Sequence, residues 1–523
     1  MIIRSITITC IAADKIQMSQ LKVGVILNYV VILLNILVAL LYTPYMLRMM
    51  GQSEYGLYAL VASVISYLTV LDVGLGNAVV RYTAKFRAEG KQTEQYEMFG
   101  MFLVLYLVIG IIALLIGTGF YFNIGALFGE TMTPLELDRA RTMMMLLIFN
   151  VAFTFPMSVF GSIITAYERF VFPRVINITR IILNTVVMIC LLHLGYKAVA
   201  MVVVQTVFNV LTLILNYIYC KKQLDIKLYF GKFKWGLVKE VAIYSFWIIL
   251  NVIVDRIYWN SGQFVLGAIV GTAAVAIFAV AIQLQHMYMT LATAITAVFL
   301  PQVTGMVTRS NDTKEISDLF VRIGRIQYIA ISFILSGFIV FGKQFINLWA
   351  GEDYTNSYYI TLLFFICMLP DLIQNVGIVI MQARNQVKFR AFLGLSMSIV
   401  SLCLQFVLTR YYAEIGCAFA IAIMFIIGQG LVINVYYSKK QKLDVIRFWK
   451  EILTMSIVPV FMVLLSRYVT DSFCIDSWKY LLISISIFCA IYIPLFIRFS
   501  MNGYERNLLI FSWLKIFRNK PIS

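Results

Sequence analysis

The sequence predicts an all-α polytopic membrane protein, and three observations support this fold class. Hydrophobic residues make up 61% of the 523-residue chain and charged residues 13%, whereas a soluble domain carries about 25% charged residues. The apolar residues fall in runs of about 20, the length that a helix needs to cross a bilayer. The Lys and Arg residues cluster between these runs. So much apolar surface predicts that lipid surrounds most of the chain.

Fourteen apolar runs are candidate transmembrane helices, separated by short connections. In order along the chain they cover residues 23–47, 56–80, 98–122, 142–166, 173–195, 198–219, 241–268, 274–300, 323–342, 358–382, 389–410, 415–437, 452–469 and 478–498. None of the connections on the predicted outer side is long enough to form a separate catalytic domain. This pattern favours a transporter over an enzyme.

The distribution of Lys and Arg predicts the orientation of the helices. With the N-terminus inside, 32 of the 42 Lys and Arg residues fall in inner segments and 8 in outer segments, while Arg180 and Arg256 lie within spans. Inner segments of membrane proteins carry the excess of basic residues, so both termini are predicted to face the cytoplasm. The net charge of +17 is spread in this topological pattern, and it does not predict a nucleic-acid partner.

Cofactor and metal chemistry have little support in the sequence. The eight cysteines are scattered without a Cys-x-x-Cys pair, and the chain has only two histidines, so neither a metal site nor a disulfide framework is expected. There is no Walker A sequence for nucleotide binding. The first 22 residues lack the pattern of a secretory signal peptide, and Met18 would suit the true translation start.

Weak self-similarity at a shift near 220 residues predicts an internal repeat. Residues 161–174 align with 377–390, with the same residue type at the first and last positions, and Met50-Gly51 aligns with Val270-Gly271. Six spans separate the copies, so both copies enter the membrane from the same side. Such a parallel repeat predicts two six-helix lobes related by an axis along the membrane normal, facing a central cavity.

Four regions follow from this repeat. Residues 1–220 form the predicted N-lobe, 241–437 the predicted C-lobe, and 438–523 the last two spans with a basic cytoplasmic tail. Residues 221–240 form a basic cytoplasmic linker, predicted to lie on the inner membrane surface as an amphipathic helix.

The N-terminal part of the chain contains motifs of a known family. Residues 42–51 read YTPYMLRMMG, residues 54–58 read EYGLY, and residues 71–82 read LDVGLGNAVVRY. These motifs and the 14-span layout resemble the polysaccharide exporters of the multidrug/oligosaccharidyl-lipid/polysaccharide superfamily, in particular the O-antigen and capsule repeat-unit flippases of the Wzx type. The layout covers nearly the whole chain, while the motifs are specific only over residues 35–90.

The resemblance implies a flippase of the bacterial cytoplasmic membrane. Its substrate would be undecaprenyl-diphosphate-linked oligosaccharide, moved from the inner to the outer leaflet for O-antigen, capsule or exopolysaccharide synthesis. Polymerase and chain-length proteins of the same pathway are the expected partners, and a monomer is the expected state. The alternatives are an ion-coupled multidrug exporter of the same superfamily and, from the enzyme class, a polysaccharide polymerase or ligase.

Polar residues inside the spans are candidates for the transport site, because ionisable groups within a bilayer are costly. In span 7, Asn251, Asp255 and Tyr258 share one helical face, and Arg256 points elsewhere. At the repeat shift of 220 residues, Asp255 aligns with Asn35 of span 1. Asn35 shares a helical face with Asn28. Both faces are predicted to line the cavity. The alternative is that Asp255 only pairs with a neighbouring helix.

Span 5 places Asn177, Arg180 and Asn184 on one face by the same spacing. A guanidinium flanked by amides suits a diphosphate or an acidic sugar, because Arg offers several N–H donors in a fixed geometry. The alternative is that Arg180 extends to the membrane surface or pairs with Asp72.

Three carboxylates are candidates for coupling transport to a proton or sodium gradient, namely Asp72, Asp255 and Asp371. Asp72 could instead cap the backbone around Gly74 and Gly76. Asp371 follows Pro370 and precedes Gln374, so it could support a hinge as well as line the cavity. Arg81 lies at the inner membrane edge, where it could bind a lipid diphosphate or reflect topology alone.

Overall fold

A computed structural model describes residues 2–72, 74–231, 235–309, 312–384, 386–470 and 475–507. The secondary structure within these ranges is helical. The chain divides into two compact units, unit 1 (Met1–Ala276) and unit 2 (Ile277–Ser523). Unit 1 contains eight α-helices and the start of a ninth, in the order α1 (Ile2–Met50), α2 (Gln52–Leu68), α3 (Leu75–Ala88), α4 (Gln92–Phe128), α5 (Pro134–Ala166), α6 (Val171–His193), α7 (Ala198–Lys222), α8 (Trp235–Ile269) and α9 (Thr272–Arg309).

The packing of unit 1 centres on α5. Helix α5 lies against α2, α3, α4 and α7, while α1 packs on α6. Thr133 starts α5 with a capping box, since its side chain accepts from the Glu136 backbone N–H and the Glu136 carboxylate accepts from the Thr133 N–H. Pro134 occupies the first helical position, where its missing N–H and fixed φ are compatible with a helix.

Helix α8 is part of unit 1, although the repeat places it in the predicted C-lobe. It packs on α2, and the Tyr67 hydroxyl donates to the Arg256 carbonyl at 3.4 Å. At its far end, the Thr131 hydroxyl donates to the Gly267 carbonyl at 2.6 Å. The compact division therefore falls after the first helix of the predicted C-lobe. Compactness does not test a repeat, so the six-plus-six lobes remain a prediction.

The connection between α7 and α8 is not the amphipathic helix that the sequence predicted. Helix α7 ends at Lys222, and residues 223–231 are non-helical. The Tyr229 N–H donates to the Tyr96 carbonyl at 3.2 Å, and the two rings meet edge to face at 5.6 Å. Asp225 adopts a φ of +47°, which interrupts a helix. The described part of the linker is therefore attached to the start of α4.

Unit 2 continues α9 and adds seven further α-helices. They are α10 (Thr313–Trp349), α11 (Thr355–Ile373), α12 (Asn375–Ala383), α13 (Val387–Phe425), α14 (Ile433–Lys439), α15 (Val445–Thr470) and α16 (Trp478–Phe499). Helix α10 packs against α11, α15 and α16, and α11 packs against α13. A buried aromatic cluster of Phe320, Phe448 and Tyr437 joins α10, α15 and α14.

Helix α13 contains a reversal of the chain that accounts for the span count. The described residues contain 13 helical segments long and apolar enough to cross a membrane, one of them Lys388–Lys439 with 52 residues. Tyr412 and Ala413 have non-helical dihedrals inside α13. Cys417 Sγ then lies 3.7 Å from Gln405 Oε1, whereas 12 residues of straight helix would separate them by about 18 Å. This segment therefore contains predicted spans 11 and 12, and the polytopic helical fold is confirmed.

The aligned repeat segments share local structure. Gly51 and Gly271 both have positive φ, +79° and +125°, and each immediately precedes a helix. Such a φ is accessible to glycine at little cost. Pro44 and Pro156 lie inside the continuous helices α1 and α5. By contrast, Pro370 precedes a break, since α11 ends at Ile373.

Candidate functional site

The predicted site residues lie mostly in unit 1, and only Asp371 and Gln374 belong to unit 2. In unit 1, Arg180 is half-buried on α6. One of its terminal N–H groups donates to the Asn177 side chain at 2.9 Å. Among the described residues Arg180 has no carboxylate partner, so the alternative pairing with Asp72 is not seen. Asn184 is half-buried one turn further along. The polar face predicted from the spacing thus places a guanidinium against an amide.

Helix α1 packs on α6 and carries the two predicted asparagines. Asn35 is exposed and its amide donates to the Val31 carbonyl of its own helix at 3.0 Å. Asn28 is half-buried. Because α1 and α6 are neighbours, these amides and Arg180 belong to one pair of adjacent helices.

The residues of the predicted α8 face differ in their exposure. Asn251 and Asp255 are exposed, whereas Tyr258 is buried with 3% of its surface accessible. Arg256 is half-buried, and its Nε atom is buried without a hydrogen-bond partner. Its backbone carbonyl accepts from Tyr67 of α2. Arg256 therefore faces the interior of unit 1, while Asp255 lies on the open side of the helix.

Asp72 ends a short 3₁₀ turn, Thr69–Asp72, between α2 and α3. Its Oδ1 atom and the hydroxyl of Tyr106 are both buried without a hydrogen-bond partner. Tyr106 and Ser158 are close enough to Asp72 to interact electrostatically. Buried polar atoms without partners are uncommon, and two of them belong to this group of three side chains.

Arg81 lies on α3 and is exposed. Its guanidinium carbon is 5.8 Å from the centroid of the neighbouring Tyr82 ring. It remains available to a ligand from outside the helix bundle.

Of the two predicted residues of unit 2, Asp371 lies in the last turn of α11 and Gln374 lies between α11 and α12. The Gln374 amide donates to the Asn434 side-chain oxygen at 2.7 Å, and the Trp449 indole N–H donates to the same oxygen at 2.8 Å. Asp371 lies 3.6 Å from Arg390 in an ion pair. Asn434 lies two residues after the end of a π-helical segment, Ile426–Val432. Such segments often occur at functional sites.

Several polar contacts were missed by the sequence analysis. The Asn209 amide of α7 donates to Asn150 at 2.7 Å and to Thr154 at 2.8 Å on α5. Asn150 and Asn209 are single polar residues in apolar runs, which was the available signal. At the predicted outer end, Glu136 accepts from Thr272 at 2.9 Å. Glu136 also accepts from Ser53, so it joins α5 to the starts of α2 and α9.

Among the described residues, no group of three His, Cys, Asp or Glu side chains could hold a metal ion.

Comparison of sequences relates the chain to polysaccharide transporters. Residues 21–307 match the model of a family described as polysaccharide biosynthesis proteins. Over 400 residues the chain is 21% identical to a Shigella flexneri protein named as a candidate O-antigen transporter, covering 75% of this chain and 91% of that protein.

Comparison of structures relates the fold to two kinds of transporter. The lipid II flippase MurJ in an inward closed conformation aligns with a TM-score of 0.69 at 17% identity, over 94% of this chain and 99% of that chain. An inward-facing multidrug resistance transporter of the MATE family aligns with a TM-score of 0.57 at 14% identity, over 77% of this chain and 99% of that chain. At these identities the likeness concerns the fold.

Proposed function

The chain belongs to the family of polysaccharide biosynthesis proteins, and on that basis we propose that it is a flippase for lipid-linked oligosaccharides. It moves undecaprenyl-diphosphate-linked repeat units from the inner to the outer leaflet of the bacterial cytoplasmic membrane. The product supplies O-antigen, capsule or exopolysaccharide synthesis. The names of the Shigella relative and of the lipid II flippase support this substrate class.

The observation that carries the proposal is Arg180 on α6. A half-buried guanidinium in a spanning helix costs free energy, so its presence suggests a functional role. The described partner of this guanidinium is the Asn177 amide. Arg presents five N–H donors, so most of them remain for phosphate oxygens. Arg180 binds the diphosphate, and the nearby amides of Asn177, Asn184, Asn28 and Asn35 contact the sugars.

The transport step is alternating access. The two predicted lobes open the polar cavity first to the inside and then to the outside. The sugar headgroup crosses through this hydrated cavity, because its hydroxyl groups need hydrogen-bond partners throughout. The polyprenyl tail stays in the bilayer. In unit 1, Asn251, Asp255, Arg256 and Tyr258 of α8 belong to the same proposed path.

Coupling to a proton or sodium gradient would act through a carboxylate. Asp72 is the candidate with a buried oxygen that lacks a partner, whereas Asp371 is already paired with Arg390. Asp255 is the third candidate. Replacing each one by Asn and measuring gradient-dependent flipping tests the idea, and a variant with the full rate removes that carboxylate from it.

The first experiment is deletion of the gene in its native bacterium. Polyprenyl-diphosphate repeat units should accumulate and surface polysaccharide should disappear, and the accumulated glycan identifies the substrate. Complementation with Arg180→Ala should leave at least about tenfold more lipid-linked glycan than wild type, which corresponds to the loss of charge-assisted hydrogen bonds. The control is Arg174→Ala, which lies on the same helix and is half-buried. This variant should return the amount of lipid-linked glycan to the wild-type level.

The alternative is multidrug export, which is supported by the similarity of the fold to a MATE-family transporter. An unchanged glycan pool together with stronger retention of cationic dyes in the deletion strain would establish it. The two helices α15 and α16 extend beyond the 12 spans usual in that class, and they favour the flippase. A polymerase or ligase is less favoured, because the predicted outer connections are short.

The proposal includes location and assembly. Both termini face the cytoplasm, as the excess of Lys and Arg in the inner segments indicates. The protein acts as a monomer, because a two-lobed chain forms its own cavity. It transfers its product to the polymerase and chain-length proteins of the same pathway.

A further inference from the structure

A cavity of 560 Å³ lies beside the start of α2 in unit 1, and none of the predicted transport residues lines it. Its polar lining comes from Glu54 of α2, Arg139 of α5, and Lys197 and Tyr196 before α7. The rest of its lining is mainly apolar and consists of Leu191, Gly195, Val199, Ala200, Val203 and Val204. Lys197 and Arg139 belong to the basic residues assigned to the outer side. We call this cavity the α2–α7 pocket.

Glu54 contributes a carboxylate oxygen that lacks a hydrogen-bond donor. The residue is buried, with 7% of its surface accessible. Its Oε1 atom pairs with Arg139, but its Oε2 atom is buried and has no hydrogen-bond partner. A buried carboxylate oxygen without a donor costs free energy. A ligand that offers an N–H group at this position would therefore be stabilised.

The start of α7 supplies the opposite preference. Lys197 is exposed and precedes the first residue of this 25-residue helix. The first N–H groups of a helix lack acceptors within the helix, and the helix dipole favours an anion there. Positive charge at Lys197 and the positive end of the helix dipole thus favour a phosphate at this side of the pocket.

The apolar wall continues along α7. Val203, Val207 and Leu211 follow at intervals of four residues and are 40%, 50% and 48% exposed. This spacing places them on one side of the helix. A hydrocarbon chain that leaves the pocket would lie along this face.

We propose that the α2–α7 pocket binds a phospholipid whose headgroup carries a primary ammonium, as in phosphatidylethanolamine. The phosphate lies at Lys197 and the start of α7, the ammonium donates to Glu54 Oε2, and an acyl chain follows Val203 and Val207. The occupant is a lipid of the surrounding bilayer and not the transported glycan.

Native mass spectrometry of the purified full-length protein tests this site without any transport assay. The purified protein is equilibrated with an equimolar mixture of phosphatidylethanolamine and phosphatidylcholine that have identical acyl chains. The lipids that stay bound are then counted in the mass spectrum. Both lipids carry the same phosphate, but the quaternary ammonium of phosphatidylcholine has no N–H group. Retained phosphatidylethanolamine should exceed phosphatidylcholine about tenfold, the difference expected for one charge-assisted hydrogen bond.

Three variants separate the roles of the lining residues. Glu54→Gln should bring the ratio of the two lipids to about one, while Lys197→Gln should lower both lipids and keep their ratio. Asp138→Asn is the matched control, because Asp138 is exposed next to Arg139 but does not line the pocket. It should leave the ratio unchanged.

Three results would overturn the proposal. They are equal retention of both lipids by the wild type, a preserved preference in Glu54→Gln, or the same loss in Asp138→Asn. If Glu54→Gln does not fold, Val203→Trp provides the second test. The indole should fill the pocket and reduce retention of both lipids, so unchanged retention would also contradict the site.

Discussion

The side chain of Arg325 attaches the C-terminal segment to the interior of unit 2. Its Nε and Nη2 atoms donate to the two carboxylate oxygens of Glu505 at 2.6 and 2.9 Å. Nη1 donates to Glu451 at 3.2 Å, and Nη2 also donates to the Ser500 carbonyl at 3.3 Å. The Glu505 side chain is 1% exposed. This paired geometry is the strongest form of an ion pair, and it joins α10, α15 and the segment after α16.

Replacing Arg325 by Ala should therefore destabilise the protein strongly. Glu505 would remain buried without a cation, a loss that costs about 3–5 kcal/mol. The measurement is the apparent melting temperature in detergent, followed by the folded peak in size-exclusion chromatography.

Arg447→Ala is the matched control for Arg325→Ala. Arg447 also pairs with Glu451 and with Asp318, but its side chain is 47% exposed, so about 1 kcal/mol or less is expected. Equal destabilisation by both variants would contradict the role given to the buried pair.

The sequence could not reveal this pairing. Arg325 sits among the inner basic residues, and its position there is explained by topology alone. Its partner Glu505 lies 180 residues further along the chain. Likewise, nothing in the sequence around Asn434 indicated its contact with Gln374. By contrast, the local spacing predicted that Asn177 and Arg180 share a helical face.

Among the elements, α2 and the start of α9 approach each other unusually closely. A Cβ atom added at Gly56 would lie 1.8 Å from the Thr272 carbonyl oxygen. Glu136 joins the same two helix ends through Ser53 and Thr272. Only a residue without a side chain allows this contact between backbones.

Gly56→Ala should force these two helices apart, with a loss of about 1–3 kcal/mol from overpacking. Gly119→Ala in α4 is the matched control, because no atom lies within 4 Å of the added Cβ. That change should leave the protein as stable or more stable by about 0.5–1 kcal/mol, since Ala favours a helix. Thermal unfolding of the two variants in the same detergent provides the comparison, and a Gly56→Ala protein as stable as Gly119→Ala would argue against the close approach.

The reversal inside α13 predicts a cross-link. In a variant with Gln405→Cys and the other native cysteines except Cys417 replaced, a short bifunctional thiol reagent should join positions 405 and 417. Peptide mass spectrometry detects the bridge. The control Phe406→Cys, on the exposed side of the same helix, should remain unlinked. A continuous helix would keep both variants unlinked, since it separates the two positions by about 18 Å.

At the scale of elements, apolar runs predicted the spans well because a bilayer imposes a minimum length on a helix. The ends of the helices and the linker were less predictable. The linker residues 223–231 have an amphipathic composition, but the contact of Tyr229 with Tyr96 fixes a non-helical path. Such a tertiary contact overrides local preference and leaves no pattern in the sequence.

The whole molecule should have a fixed orientation in the membrane, and chemical labelling can test it. Tyr196→Cys lies on the predicted outer side and Lys227→Cys on the predicted inner side, and both positions are exposed. In variants that lack the native cysteines, and in cells with a permeabilised outer membrane, a maleimide that does not cross the inner membrane should label Tyr196→Cys and spare Lys227→Cys. The reverse pattern would invert the topology and the proposed direction of transport.

For the whole molecule, composition and basic-residue bias were sufficient for the fold class. Composition and basic-residue bias did not show which of the predicted site residues lie together. The structure places these residues in two separate compact units. Asp72 shows the limit. The sequence singled out its charge, but its neighbours Tyr106 and Ser158 come from α4 and α5, and only the fold brings them together.

The reversal at Tyr412 and Ala413 also affects how the chain enters a membrane during synthesis. Between Arg390 and Lys439, the only charged residues are Arg410 and Glu414, so no hydrophilic loop separates the two arms. Basic residues at both ends retain those ends on the same side. The two arms therefore form one hydrophobic hairpin, whose ends stay on one side of the membrane while its turn at Tyr412 and Ala413 lies at the other.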